Sequence, residues 1–212
     1  MTIHEPATLI TDYMLAALGA VCGWRLRRSG SAAYISRRWW SRALWCSGVG
    51  AWIGGSYHGF GPMLSAAWSD ALWSATLVVL SLTSAAMALT LVHELAPAAQ
   101  RRRWQWVVWA KFAGFAALAV VLPVFLVAIA DYGAVMLALA TAALFVRRPW
   151  RAPMLAAVAL SALAAAVQQL GWGFSARFNH NDLYHVIQGG AVFLFYRAGR
   201  HLGVPPSGGF AP

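Results

Sequence analysis

The chain has 212 residues, of which 60% are hydrophobic and only 10% are charged, whereas a soluble domain carries about 25% charged residues. This composition excludes an ordinary water-soluble domain. The formal net charge of +10 does not indicate nucleic-acid binding, because the arginines sit in short segments between apolar runs and form no single basic surface. The composition indicates an integral membrane protein whose basic residues contact anionic lipid headgroups.

Seven apolar stretches are long enough to cross about 30 Å of hydrocarbon as helices. We predict spans at 8–24, 40–60, 68–92, 104–122, 124–146, 154–174 and 183–199. The fourth and fifth spans are separated only near Leu122 and Pro123, so a kinked re-entrant pair is the alternative there. The sequence therefore predicts an all-α, seven-helix transmembrane domain over residues 1–200, followed by a flexible Gly/Pro-rich tail at 201–212.

Orientation follows from the basic residues, which concentrate in alternate connections and near the C-terminus. On one side lie 14 of the 16 Lys and Arg residues: Arg25, Arg27, Arg28, Arg37, Arg38, Arg42, Arg101, Arg102, Arg103, Arg147, Arg148, Arg151, Arg197 and Arg200. The positive-inside rule then predicts the N-terminus outside and the C-terminus in the cytoplasm. We expect a multi-pass protein of the bacterial inner membrane.

Ionisable side chains inside a bilayer are costly and mark candidate sites wherever they occur. A group of them collects at the outer end of the second, third and seventh spans, namely His58, Asp70, His180, Asp182 and His185. Asp12 and Asp131 also map to the outer half of their spans. Lys111, in the fourth span, is expected to reach toward the inner surface.

The seventh span opens with an unusually polar segment, FNHNDLYHVIQGG at 178–190. A helix that begins near Asn181 puts Asn181, His185 and Gln188 on one face, with Asp182 beside His185. The alternative role for Asn179, Asn181 or Asp182 is to cap the helix. In the sixth span, Gln168 and Gln169 are expected to add polar lining.

The chemistry of this group suits a metal site. Neutral imidazoles with a carboxylate are ligands that Zn²⁺ prefers, and an open fourth position holds a water whose pKa falls to about 7. A nearby Asp can then accept a proton from that water or orient it. The alternative for His58 is an ordinary hydrogen-bonded interior residue.

The arrangement resembles the seven-helix superfamily of alkaline ceramidases and progestin/adiponectin-type receptors. In that family an intramembrane zinc site is built by a His near the end of the second helix, an Asp near the start of the third and a His-x3-His pair at the start of the seventh. Here His58, Asp70 and His185 occupy the matching positions, and His180 is the expected further metal ligand. The resemblance implies hydrolysis of a lipid amide or ester by metal-activated water.

Two positions depart from the family pattern. Asn181 stands where the first His of the last pair is expected, with His180 beside it. The Ser expected four residues before the first His is replaced by Gly54, with Ser56 nearby. With these departures, the expected catalytic residues are Asp70, Asp182 and Ser56, and the expected metal ligands are His58, His180 and His185.

Two other classes of function stay open from the sequence. Histidines on facing helices at equal depth, here His58 and His185, also suit bis-His haem b in an electron-transfer subunit. Alternatively, the chain is a non-catalytic accessory subunit of a larger membrane complex. In every case we expect membrane lipids as partners, a lipid substrate if the chain is an enzyme, and no nucleic acid.

Overall fold

The computed structural model describes residues 3–29, 34–175 and 177–203. Within these residues the chain forms seven α-helices, in the order α1 (Pro6–Arg28), α2 (Ile35–Phe60), α3 (Ala66–Leu95), α4 (Ala98–Val121), α5 (Phe125–Phe145), α6 (Arg151–Leu170) and α7 (His180–Gly199). A short 3-10 helix, Gly61–Met63, joins α2 to α3. The prediction of an all-helical chain is confirmed.

Five of the helices, α1, α3, α4, α5 and α6, are long and apolar enough to cross a membrane. Large apolar side chains cover much of the outer surface, and Val121, Phe145 and Phe174 are each largely exposed. An exterior of this kind is costly in water and is stable in hydrocarbon. These features indicate a membrane protein.

Short connections make most consecutive helices antiparallel, so the bundle has two chemically different ends. We call one the histidine end, because His58 near the C-terminus of α2 and His180 and His185 in the first turns of α7 lie there. We call the other the arginine end, where α1 finishes with Arg25, Arg27 and Arg28. The two ends of the bundle therefore carry different ionisable side chains, histidines at one and arginines at the other.

The core near the arginine end ties α2 to α7. Trp40 is fully buried and donates its indole N–H to the carbonyl oxygen of Phe195 at 2.8 Å, and the two rings meet edge to face at 5.6 Å. Buried Arg37 donates to the carbonyl oxygens of Arg200 and Leu202. Residues 201–203, predicted to begin a flexible tail, are therefore packed here, and 204–212 lie outside the described residues.

Helix boundaries differ from the predicted spans in two ways. Helices α2 and α4 begin before their arginines, because Arg is a good helix former. Arg38 and Arg42 of α2 are exposed, so their long side chains can extend away from the bundle, whereas Arg37 bonds to buried carbonyl oxygens. The basic residues therefore lie largely in terminal helical turns and less in loops. Helix α6 stops at Leu170, four residues early, since Gly171 adopts a left-handed backbone with φ of 69° and ends the helix.

Candidate functional site

A cavity of about 700 Å³ runs through the middle of the bundle and is lined by residues of α1, α2, α3, α5, α6 and α7. Most of its wall is apolar, formed by side chains such as Leu15, Leu80 and Met136. Polar side chains gather toward the histidine end: Asp12, His58, His180, Asn181 and His185. Its size and its few polar groups are typical of a site for a small apolar or amphiphilic ligand.

The cavity reaches the outer surface of the bundle between α5 and α6. Leu137 of α5 and Ala162 of α6 both line the cavity, and both are exposed. An opening flanked by apolar side chains in this position admits molecules from the hydrocarbon layer more readily than from water.

Asp12 of α1 and His185 of α7 form the most buried polar pair of the cavity. Asp12 Oδ1 lies 3.1 Å from His185 Nε2, and the residues are 3% and 8% exposed. On the other side of the ring, Thr11 Oγ1 lies 3.1 Å from Nδ1. The Thr11 hydroxyl also lies 3.1 Å from the carbonyl oxygens of Ala7 and Thr8.

The separation of 3.1 Å lets Asp12 and His185 share one proton. If Thr11 donates to a carbonyl of its own helix, it accepts from Nδ1–H; if it donates to Nδ1, then Nε2–H donates to the carboxylate. In the first arrangement a proton between Nε2 and Oδ1 has to come from a protonated Asp12 carboxyl group, and in the second it comes from the imidazole. The second oxygen, Asp12 Oδ2, is buried and has no hydrogen-bond partner among the described residues.

The close approach of α2 to Asp12 depends on a glycine. A Cβ atom at Gly55 would lie 2.7 Å from the Cβ of Asp12 and 3.0 Å from the ring of Tyr13. Any larger residue at this position has to push α1 and α2 apart, which would displace Asp12 from His185.

The start of α7 is held by a capping box. The Asn179 side chain accepts from the backbone N–H groups of Asn181 and Asp182, and Asp182 Oδ2 accepts from the Asn179 N–H at 2.6 Å. The other oxygen of Asp182 accepts from the Thr8 hydroxyl at 2.9 Å. The predicted capping role is confirmed, and it joins α7 to α1 beside His185.

A second imidazole, His58, lies nearer the surface and faces a different carboxylate. Its Nδ1 is 3.2 Å from Glu5 Oε2, and Glu5 Oε1 is 3.8 Å from His4 Nδ1. The ring of Trp73 lies 6.4 Å from the His58 ring in an edge-to-face arrangement. His58 thus shares the cavity with His185 but has its own acidic partner.

The structure brings together only part of the predicted site. His58, His180 and His185 all line the cavity, as does the predicted α7 face of Asn181, His185 and Gln188. Asp70 does not join them, since it is exposed near the start of α3. The cavity side of α3 is formed by Trp73, Thr76 and Leu80, and Trp73 lies beside His58 where the resemblance implies a carboxylate.

The other two predicted catalytic residues make structural contacts. Both oxygens of Asp182 are engaged by the capping box and by Thr8. Ser56 donates to the carbonyl oxygen of Trp52 at 2.8 Å and lies 3.0 Å from the Tyr13 hydroxyl oxygen. Neither residue lines the cavity.

The arrangement does not fit the zinc site that the resemblance implies. A catalytic zinc needs three protein ligands around one point. Within residues 3–29, 34–175 and 177–203, no group of three or more His, Cys, Asp or Glu side chains is placed to hold a metal ion. His58 and His185 instead face separate carboxylates, Glu5 and Asp12.

Sequence reasoning missed Asp12 and Glu5 as members of the site. The available signal was Asp12 itself, a carboxylate inside an apolar span at the same depth as the histidines. What one sequence does not reveal is that α1 packs beside α7, which brings Asp12 to His185.

A second buried charge pair lies away from the cavity. Lys111 of α4 contacts Asp131 Oδ1 of α5 and donates to Ser84 Oγ of α3 at 2.8 Å, while Ser84 donates to Asp131 Oδ1 at 3.1 Å. The expectation that Lys111 reaches the inner surface is therefore wrong. Extending the ammonium through apolar surroundings costs more than pairing it with a buried carboxylate of a neighbouring helix.

Comparison with known proteins assigns the chain to a family. Neither a curated protein nor a solved structure matches it. A family model described as a family of unknown function, DUF6962, matches residues 7–204, which includes every residue of the cavity and all seven helices except Pro6, the first residue of α1. The chain belongs to this DUF6962 family.

Proposed function

We propose that this protein hydrolyses an amide or ester bond of an amphiphilic lipid within the membrane, with Asp12 and His185 as the proton-transfer pair. One observation carries the proposal: a buried carboxylate lies 3.1 Å from an imidazole nitrogen, keeps its second oxygen without a partner among the described residues and stands at the polar end of a large apolar cavity. A general base needs an oxygen that is not engaged by another group and that comes within hydrogen-bond reach of the proton that it removes.

The lipid would lie with its chain against the apolar wall and its amide or ester at the histidine end. Leu137 and Ala162, both exposed and both on the cavity wall, support entry between α5 and α6. His180 and Asn181 line the cavity at the histidine end, as Asp12 does, and each has a side-chain N–H that can donate to the carbonyl oxygen of the substrate.

The proposed reaction uses water and no further reagent. Asp12 Oδ2 removes a proton from water as the water oxygen bonds to the carbonyl carbon. The C–N or C–O bond then breaks, and the proton held by the Asp12–His185 pair passes to the leaving amine or alkoxide. The products are a fatty acid and an amine or alcohol, and the pair returns to its starting protonation.

The test is hydrolysis by the full chain reconstituted in lipid vesicles. Mass spectrometry of a panel of long-chain amides and esters should show release of fatty acid by the wild type. Asp12→Asn should lower turnover by about 10²-fold or more, because the amide cannot accept the proton. Asp70→Asn is the matched control, because Asp70 is an exposed acid of the same end that does not line the cavity and should keep turnover unchanged.

Two outcomes would contradict the proposal. If the wild type cleaves no member of the panel, the assignment as a hydrolase is wrong. If Asp12→Asn is as active as the wild type, another group accepts the proton and the Asp12–His185 pair has a different role.

We further propose that all seven helices cross the membrane, with the histidine end outside and the arginine end in the cytoplasm. Helix α7 is less apolar on average because Asn181, His185 and Gln188 face the cavity and not lipid. Helix α2 has 26 residues, which is ample for a span even with arginines in its first turns. The arginine asymmetry supports this orientation.

Reporter fusions test the topology directly. A reporter in the connection between α3 and α4 should read cytoplasmic, and one in the connection between α6 and α7 should read external. The same side for both would show that α4, α5 and α6 do not all cross the membrane, and exchanged sides would reverse the orientation.

A further inference from the structure

A second polar site lies deeper in the same cavity, formed by Ser161 of α6 and Gln188 of α7. Both residues line the cavity, and they are only 8% and 9% exposed. Ser161 Oγ has no hydrogen-bond partner among the described residues. The Gln188 amide likewise forms no hydrogen bond with any residue that the structure describes.

The two side chains lie at the same depth on neighbouring helices. Ser161 is nine residues before the end of α6 and Gln188 is eight residues after the start of α7, which is about 12 to 14 Å from the histidine end at 1.5 Å per residue. The contact of Leu160 with Gly190 confirms this register, since a Cβ on Gly190 would lie 2.9 Å from Leu160 Cδ2.

Unpaired polar groups in an apolar interior are expensive, and native structures pair nearly all of them. A serine inside a helix commonly donates to the carbonyl four residues earlier, as Thr76 and Thr83 do here. Ser161 does not make this bond and faces the cavity together with Gln188. The pair therefore offers both donors and acceptors to whatever occupies the cavity.

We infer that Ser161 and Gln188 bind a hydroxyl group on the chain of the lipid, so that the preferred ligand is a hydroxylated acyl chain. This inference rests on the proposed function, because it assumes that the acyl chain occupies the cavity. A hydroxyl both donates and accepts, which matches an amide and a serine hydroxyl at the same depth, whereas a methylene would leave both unpaired. Gln188 lies one helical turn below His185, so the hydroxyl belongs within the first few carbons from the cleaved carbonyl.

The experiment compares two fatty acids that differ by one hydroxyl, β-hydroxymyristic acid and myristic acid. Their dissociation constants are measured on the full chain in lipid nanodiscs by displacement of a fluorescent fatty acid. The wild type should bind the hydroxylated acid about 10-fold more tightly, which corresponds to roughly one net hydrogen bond. The double variant Ser161→Ala/Gln188→Met should bind the two acids within about 2-fold of each other.

Gln169→Leu is the matched control, because Gln169 is exposed on the same helix and should keep the full preference. The variants replace buried polar groups with apolar ones of similar size, so they should fold. If the double variant does not fold, the single variants Ser161→Ala and Gln188→Met provide a second measurement. Equal affinity of the wild type for both acids, or an unchanged preference in the folded variants, would overturn the inference while leaving the hydrolase proposal intact. If neither acid binds, the inference and the proposed lipid site fail together.

Discussion

Two buried aspartates of this bundle have similar burial and similar partners, but only one of them can reach a ligand in the cavity. Asp12 and Asp131 are each almost fully buried, each contacts a basic side chain from another helix, and each keeps one oxygen without a partner among the described residues. Asp12 lines the cavity, whereas Asp131 does not. Access to a ligand, and not burial or pairing, separates the candidate site from a structural contact.

The basic partners of Asp12 and Asp131 also differ in their chemistry. Lys111 carries a charge that its contact with Asp131 stabilises, and Ser84 adds a third group to that cluster. The imidazole of His185 can accept a proton at one ring nitrogen and donate one from the other, which makes it suitable for proton transfer. The pair on the cavity is therefore suited to chemistry, and the pair between α3, α4 and α5 is suited to holding helices together.

The largest expected effect tests whether Asp12 and His185 act as one unit. Asp12→Asn and His185→Gln should each lower turnover of a cleaved lipid by about 10² to 10⁴-fold. The double variant should be no slower than the slower single variant, because removing either member already disables the pair. Turnover measured per folded protein in vesicles checks this, and additive losses would show that the two residues act independently.

The second prediction breaks the other pair and should affect stability without affecting catalysis. Lys111→Met leaves Asp131 buried and without its cation, which costs about 3 to 5 kcal/mol and should lower Tm by on the order of 10 °C in a chain of this size. Turnover of the remaining folded protein should stay near the wild-type value. Thermal unfolding in detergent and the vesicle assay measure the two quantities.

A compensating double variant sharpens this prediction. Lys111→Met/Asp131→Leu removes both charges and should recover most of the lost stability, since apolar residues replace an ion pair inside the membrane. If Lys111→Met alone leaves Tm unchanged, the contact between α4 and α5 is not the structural bond that we describe.

The third and smaller effect concerns the capping box that orients His185. Asn179→Ala removes the acceptor for two N–H groups at the start of α7 and should cost about 1 kcal/mol of stability. Asn179→Ser, which can still accept a hydrogen bond, should lose much less. Unfolding curves of the two variants measured side by side provide the comparison, and equal losses would argue against a capping role.

The elements of the fold were largely predictable because apolar length and turn residues are local properties. The cap at the start of α7 was predictable because Asn179 and Asp182 are neighbours in the sequence. The polar face of α7 was predictable because helical spacing alone places Asn181, His185 and Gln188 on one side. Helix ends were less accurate because arginines that look like loop residues are accommodated in helical turns.

The composition of the site was not predictable in the same way, because it depends on which helices are neighbours and how each is rotated. Asp12 meets His185 only because α1 packs on α7, and Lys111 meets Asp131 only because α4 and α5 pair side by side. The choice of Asp70 relied on its position along the chain and not on the direction in which it faces. Rotation of α3 puts Trp73 on the cavity instead.

The smallest expected effect is at Asp70, and it separates the structure from the family resemblance. Asp70 is exposed near the start of α3 and does not line the cavity, so Asp70→Asn should change neither Tm nor lipid turnover by a measurable amount. The zinc mechanism implied by the resemblance instead requires a loss of about 10²-fold at this position. The vesicle assay used for Asp12→Asn decides between them, with Asp12→Asn as the matched change from acid to amide. A large loss at Asp70 together with a small loss at Asp12 would mean that α3 is rotated in the working protein and that the carboxylate beside His58 comes from Asp70 and not from Glu5.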